Sequence, residues 1–564
     1  MANPLVLANS TVYNYNTPSI FYSSKWIEKK KKMLFPAVYK LGFKAGETAY
    51  GWWHNTTTLP SVLQLVQFIM ELPGSYKDWW IGLVSEDPLH VAVETTLLAS
   101  IIYVVVSRST EGYQDKDKLS KKEQADLLAD WKKTRAPLAP PPTPSSVSSS
   151  SSSFPNPIVV HQQAGKYMTV STTGGSNKET KLRVLNFCNF DFLGLQTSSV
   201  IKEASSKALQ KYGCGSCGPR GFYGTIDTHL QLEDAISSFT HTDGAIMYSD
   251  GASTCTSTVA AFAKRGDVLV VDEGVYEPIM TGVFLSRANI SYFKHNDVED
   301  LERVLQELQK EDSRLGRKPN AQRRFIVVEG LYKNLGTIAP LDKIIALKHK
   351  YHYRLILDES FSFGTLGATG RGALEHYHQK PMYDAEIVTI ALENSLGSIG
   401  GVTVGNEEVV DHQRLSGAGY CFSASAPPFT ASAAIASLKH MQGNPACVTQ
   451  LQSNVEYMYQ QLEAHLTQLV VTSDIRSPIV VLQLPKESVY EADITSGIMQ
   501  ECLQRGVAIV ATGQDASSHL RTELAPAIRM TISTLHTHKD IDKAIAVLVE
   551  CAKLVIARYP LDKE

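Results

Sequence analysis

Three short stretches of this chain carry residue types that could do chemistry. Asp358 and Glu359 follow the apolar run RLIL, so a strand there would end in two carboxylates, where open α/β sheets gather ligands. A helix cap explains the pair equally well. Cys214 and Cys217 form a C-x-x-C pair, half of a zinc or redox site, but no second pair and no H-x-x-x-H completes a tetrahedron. No metal is expected. Gly213, Gly215 and Gly218 in GCGSCG satisfy G-x-G-x-x-G, a spacing that holds a dinucleotide only between a strand and a helix. Here the preceding KEASSKALQKY reads as a helix, and Pro219 interrupts what should open the phosphate-binding helix. A Rossmann site is rejected.

The elements that must position these residues are readable downstream of about Ala245. Short β-rich runs, AIMYS, DVLVVDE, ISYF, RRFIVVEG, RLILDES and EIVTIAL, alternate with helical patterns, a rhythm that predicts a mostly parallel sheet flanked by helices. Between two of them Asp297 caps a helix whose apolar positions Val298, Leu301, Val304, Leu305 and Leu308 recur at helical spacing. The chain has 564 residues, 43% hydrophobic and 20% charged with a net charge of −3. That size predicts more than one domain, and the charge lacks the basic excess that nucleic-acid backbones demand. Eight scattered cysteines read as reduced thiols rather than a disulfide scaffold.

The N-terminal third is different in kind. Residues 1–87 show no cleavable signal pattern. The stretch LHVAVETTLLASIIYVVV within 88–107 approaches bilayer-crossing length and predicts a transmembrane helix, although His90 and Glu94 fall inside it. A buried soluble helix is the competing reading. Basic residues Arg108, Lys116, Lys118, Lys121 and Lys122 follow the span, which would put the C-terminal bulk in the cytosol, while the Lys29 to Lys32 run argues the other way. Upstream, 59–83 with Trp79 and Trp80 suits an interfacial amphipathic segment or packing against the body. Residues 108–165 read as a linker, Pro- and Ser-rich at 136–157 and too polar to bury a core.

Longer motifs carry a resemblance. YGCGSCGPRGFYGTIDTHLQLE, VVEGLYKNLGTIAPL, LDESFSFGTLGATGRG and DHQRLSGAGYCFSASAPP occur in the order in which the α-oxoamine synthases carry them. These are fold-type I pyridoxal-phosphate (PLP) enzymes, so the resemblance implies a PLP-transferase-like large domain, 166–430, and a smaller α+β C-terminal domain, 431–564. More narrowly, GPRGFYGT, RRFIVVEGLY, ENSLGSIGG and DHQRLSGAGYCFSAS resemble the subunit 1 family of eukaryotic serine palmitoyltransferase.

The family reaction condenses an amino acid with an acyl-CoA through a coenzyme held on lysine as a Schiff base. In catalytic relatives that lysine lies in T-L-S-K-A-x-G-x-x-G-G, which aligns with Ala391 to Gly401 and puts Asn394 at the lysine position. No lysine occurs from Pro381 to Leu438 to replace it. Phe361 stands where D-E-A-H-S-x-G has histidine, and Tyr276 where D-E-x-N-H-A-S has the ring-stacking histidine. Asp358 matches the aspartate that pairs with the pyridine nitrogen, a role that the missing lysine would leave vestigial.

The resemblance therefore implies a non-catalytic subunit whose partner, a lysine-bearing catalytic subunit, holds PLP covalently and converts L-serine and palmitoyl-CoA to 3-oxosphinganine. This chain would complete the shared site. Ser423 and Ser425 match hydroxyls placed beside the partner's cofactor phosphate, and Arg529 matches an arginine that receives a substrate carboxylate. Gly215, Cys217, Arg220 and Tyr223 are the remaining interface or substrate candidates. The resemblance also implies small activating and regulatory membrane subunits and a place in the endoplasmic reticulum membrane with the bulk cytosolic. An autonomous homodimeric acyltransferase and a purely regulatory scaffold are the alternatives.

Overall fold

Runs of β-branched and aliphatic residues set the central sheet. Val268–Asp272, Ile387–Ala391 and Gly401–Gly405 are buried at all five positions, as strands covered on both faces must be. The computed structural model describes residues 120–134, 158–172, 180–318, 321–381, 383–513 and 524–559, together with Gly82, Ser85, Pro88, Leu89, Val93, Thr96, Leu97 and Ser100. The chain divides into two units, 1–148 and 149–564. Of the first, the described part includes the helix Lys121–Thr134, which falls inside the segment read as linker. The stretch 136–157 lies outside the described residues.

The second unit opens with an antiparallel meander, β1 (Ile158–Ala164), β2 (Tyr167–Thr172) and β3 (Thr180–Asn186). The large sheet follows: β4 (Gly244–Tyr248), β5 (Val268–Asp272), β6 (Asn289–Phe293), β7 (Arg324–Glu329), β8 (Arg354–Asp358), β9 (Ile387–Ala391) and β10 (Gly401–Gly405). Its spatial order is β4-β10-β9-β8-β7-β5-β6, parallel except for β10, which runs antiparallel to both neighbours. The helix Val298–Leu315 begins as the sequence predicts. Asp297 accepts a hydrogen bond from the Asp300 amide at 2.9 Å, Leu301, Val304 and Leu305 are buried, and Gly316 ends it in the left-handed region at φ 61°.

The C-terminal part is α+β. β11 (Val470–Val471), β12 (Ile479–Gln483), β14 (Val510–Thr512) and β15 (Ala527–Thr531) form an antiparallel sheet in the order β11-β12-β15-β14. Between them β13 (Val507–Ala508) pairs in parallel with β3, so the meander at the start of the unit is sewn to its end.

No helix among the described residues is long and apolar enough to cross a membrane, which corrects the predicted transmembrane helix over 88–107. Most of that stretch lies outside the described residues, and its described positions Leu89, Val93, Thr96, Leu97 and Ser100 are helical and exposed. The physical reason lies in the sequence: about eighteen residues is the short limit for hydrocarbon about 30 Å thick, and His90 and Glu94 put ionisable groups in the first half of the run. The expected membrane anchoring and integral place in the endoplasmic reticulum membrane are corrected on the same ground, since no membrane-spanning helix stands among the described residues. The segment 59–81 and the Lys29 to Lys32 run lie outside the described residues.

Candidate functional site

Asp358 ends β8 and is 2% exposed. Its Oδ2 accepts from the Cys255 thiol at 2.7 Å, the Thr389 hydroxyl at 2.6 Å and the Ser360 hydroxyl at 3.0 Å, while Oδ1 accepts from the Ser360 amide at 3.0 Å. Burial raises its pKa, opposed by these donors. Cys255 lies on the helix Gly251–Phe262 and also meets the Tyr276 hydroxyl at 3.1 Å. Burial pushes both the Cys255 thiol and the Tyr276 phenol well above their ordinary values, with Asp358 adding to the shift, so both stay protonated. The space walled by Cys255, Ile356, Asp358 and Thr389 leaves no room for a water-sized sphere.

Asn394 is buried, and its Nδ2 donates to the Ser360 carbonyl at 2.7 Å. Beside it an aromatic row fills the site. Phe361 meets Tyr276 edge-on at 5.9 Å between centroids and Phe190 at 4.9 Å, and the Phe190 ring lies 4.6 Å from the Arg529 guanidinium carbon. Arg529, on β15, forms no ion pair among the described residues, and its buried Nε has no hydrogen-bond partner. Burial lowers its pKa. These residues do not fit a covalently held PLP: no amine stands at the position that the motif aligns with the attachment lysine, and Asp358 is already hydrogen-bonded to its neighbours.

One turn before Cys255, Asp250 is the N-cap of the Gly251–Phe262 helix. Its Oδ1 accepts from the Ser253 amide at 2.7 Å and its Oδ2 from the Ser253 hydroxyl at 2.7 Å. Glu393, next to Asn394, crowds the first helical residue, since a Cβ added to Gly251 would stand 2.5 Å from Glu393 Oε1.

The glycine-rich stretch folds into a turn at Arg220–Gly224. Arg220 does not project outward. It is buried in a two-pronged pair with Glu233 at 2.8 and 3.0 Å, and the same carboxylate accepts from the Met247 amide at 2.8 Å. Tyr223, three residues on, is fully exposed in the left-handed region at φ 65°, as is Cys217 at φ 57°. Gly215 lies exposed in the loop before it. The Gly218 carbonyl accepts from both the amide and the hydroxyl of Ser425, at 2.9 and 3.0 Å. Ser423 donates to the Gly419 carbonyl and lies 3.3 Å from the Ser249 hydroxyl. Phe422 and Leu415 are 86% and 90% exposed, and the short helix ending at Phe422 packs against the Arg220–Gly224 turn. Cys214 and Cys217 are exposed free thiols, and no cluster of three metal-ligating residues stands among the described residues.

The structure thus gathers Asp358, Asn394, Phe361, Tyr276 and Arg529 around one filled site and Gly215, Cys217, Tyr223, Ser423 and Ser425 around a glycine-rich rim. Sequence reasoning missed Cys255, Phe190, Asp250 and Glu393. Only Glu393 had a signal, since it stands at the serine of T-L-S-K.

Comparison with known proteins agrees with this architecture. The family model Aminotransferase class I and II matches residues 183–548. Long chain base biosynthesis protein 1c of Oryza sativa is 38% identical over 83% of this chain and 92% of its own length. Long chain base biosynthesis protein 1 of Arabidopsis thaliana is 37% identical over 85% and 97%. A solved serine palmitoyltransferase from S. paucimobilis, with bound PLP and myriocin, superimposes with a TM-score of 0.63 at 25% identity, covering 71% of this chain and 93% of that one. With relatives this similar along most of its length, the chain belongs to the long-chain-base biosynthesis protein 1 family of class I and II aminotransferase-fold proteins.

Proposed function

We propose that this chain is the non-catalytic subunit of a serine palmitoyltransferase, paired with a lysine-bearing subunit that holds PLP covalently and condenses L-serine with palmitoyl-CoA to 3-oxosphinganine. The observation that carries the reading is the buried amide of Asn394, hydrogen-bonded to Ser360 where the attachment amine would stand. A carboxamide nitrogen is not a nucleophile for the coenzyme's aldehyde. Asp358 becomes a structural acceptor, and the contribution to catalysis comes from the rim.

There, Arg220 acts as a positioning residue. Its pair with Glu233 fixes the turn that carries Tyr223 outward, and Ser425 ties the preceding Gly218 in place. Phe222, Tyr223, Phe422 and Leu415, all more than 60% exposed, form an apolar surface suited to a partner, with Gly215, Cys217 and Ser423 nearby to wall the shared site. Arg529, without an ion pair among the described residues, is the group assigned to a carboxylate. The test is purification of the chain alone and with its lysine-bearing partner. Turnover of serine and palmitoyl-CoA is expected only from the pair; turnover by the chain alone would refute the reading.

A further inference from the structure

The missing lysine is one obstacle to the coenzyme; the structure holds a second, at the far end of the same site. Helix N-termini receive phosphate because their first amides are free and the helix dipole is positive there. The Gly251–Phe262 helix would offer such a seat. It starts with glycine, and Cys255, one turn on, touches Asp358 at 2.7 Å, so its N-terminus opens directly beside the ring position. Yet the Ser253 amide and hydroxyl, which a phosphate would use, are both held by Asp250 at 2.7 Å. Glu393 brings a second carboxylate against Gly251. Neither Asp250 nor Glu393 is in an ion pair among the described residues, and both are accessible to solvent.

We propose that Asp250 and Glu393 form an anion barrier at this helix N-terminus, which keeps phosphorylated coenzyme off this chain independently of Asn394. Asp250 where a dianion would sit repels it, Glu393, which burial pushes up to about 7, adds its charge as it ionises, and the donors that would offset the repulsion are already bound. The barrier leaves the coenzyme to the partner even where a lysine arises by mutation. This deepens the function proposed above, but its test needs neither partner nor turnover, so the two fail separately.

The full chain is prepared as N394K and as N394K/D250S/E393S, both checked for an unchanged far-ultraviolet spectrum and melting temperature. Ser at 250 keeps a helix cap; D250N replaces it if the first choice unfolds. Each is incubated with PLP or with pyridoxal, which lacks the phosphate, then reduced with borohydride, and the pyridoxyl label at position 394 is measured by peptide mass. The expected result is at least tenfold more label from PLP in the triple variant than in N394K, with a smaller rise from pyridoxal. A rise from PLP of less than tenfold, whether labelling is high in both variants or absent from both, overturns the barrier. So does an equal rise from pyridoxal, because the substitutions would then only have opened the slot.

Discussion

His536 fastens the end of the C-terminal sheet to β3, and it does so only as a neutral ring. It is 3% exposed, stacked on Phe187 at 4.0 Å. The Ser533 amide donates to Nδ1 at 3.1 Å, so Nε2 carries the hydrogen and donates to the Asn186 carbonyl at 2.9 Å. Burial pushes its pKa from 6.5 down to about 4, outweighing the Asn186 bond and the nearby Asp540. Above pH 6.5 the ring is neutral in both folded and unfolded chains. Between pH 6.5 and about 4 the unfolded chain takes up the proton and the folded chain does not, so stability falls with acid. At 1.36 kcal/mol per pH unit this amounts to about 3 kcal/mol across the window. Glu359, which burial pushes up to about 7, works in the opposite sense, because the folded chain keeps its proton while the unfolded chain loses it. The wild-type curve alone therefore mixes the two. Urea midpoints of wild type and His536→Gln, compared from pH 7.5 to 4, isolate the histidine: the variant keeps a donor toward Asn186 but has nothing to titrate. Wild type should lose about 3 kcal/mol more than the variant. Curves that stay parallel within about 0.5 kcal/mol would refute the argument.

Arg220→Ala leaves Glu233 buried without its partner and should destabilise the chain by about 3–5 kcal/mol, read as a lower urea midpoint; the double variant Arg220→Met, Glu233→Leu should recover most of that loss. Phe361→Ala empties the centre of the aromatic row and should cost about 3–5 kcal/mol, whereas a change under about 1 kcal/mol would mean the site is not packed as described. Tyr223→Ala, at a fully exposed position, should leave stability within about 0.5 kcal/mol and weaken binding of the lysine-bearing partner at least tenfold in a titration. Unchanged partner binding would remove Tyr223 from the interface.

What was legible in the sequence is what depends on neighbours along the chain. The β-branched runs became β4 to β9; for β5, β7, β8 and β9, inside the sheet, a strand buried on both faces needs little beyond local composition. Asp297 and the Val298–Leu315 stripe were readable for the same reason. Asn394 could be placed because it sits inside a motif. The long-range contacts had no such signal. Cys255 is one small residue among the others of GASTCTST, and nothing local says that its thiol will face Asp358, over a hundred positions away. Arg220 looked like a group reaching outward because arginine on a glycine-rich loop usually does, yet Glu233 captures it from the following helix. The membrane helix was misread because an apolar run near the length limit has the same local appearance whether it meets lipid or protein.

On the proposed reading, the side chains around Asp358 and Asn394 explain how such a fold stays stable without holding a coenzyme. A cavity shaped for a ring is expensive when empty, and a buried carboxylate without donors is worse. Both problems are answered by the residues this chain has there. Phe361 and Tyr276, at the two histidine positions, fill the volume with aromatic surface. Cys255, Thr389 and Ser360 give Asp358 the four hydrogen bonds that allow it to stay buried. Active sites commonly sacrifice stability for reactivity; a site relieved of reactivity, as the proposed function has it, is free to pack as core. A rigid interior behind the rim is what a subunit needs if its task is to hold Tyr223 and its neighbours still against another chain's active site.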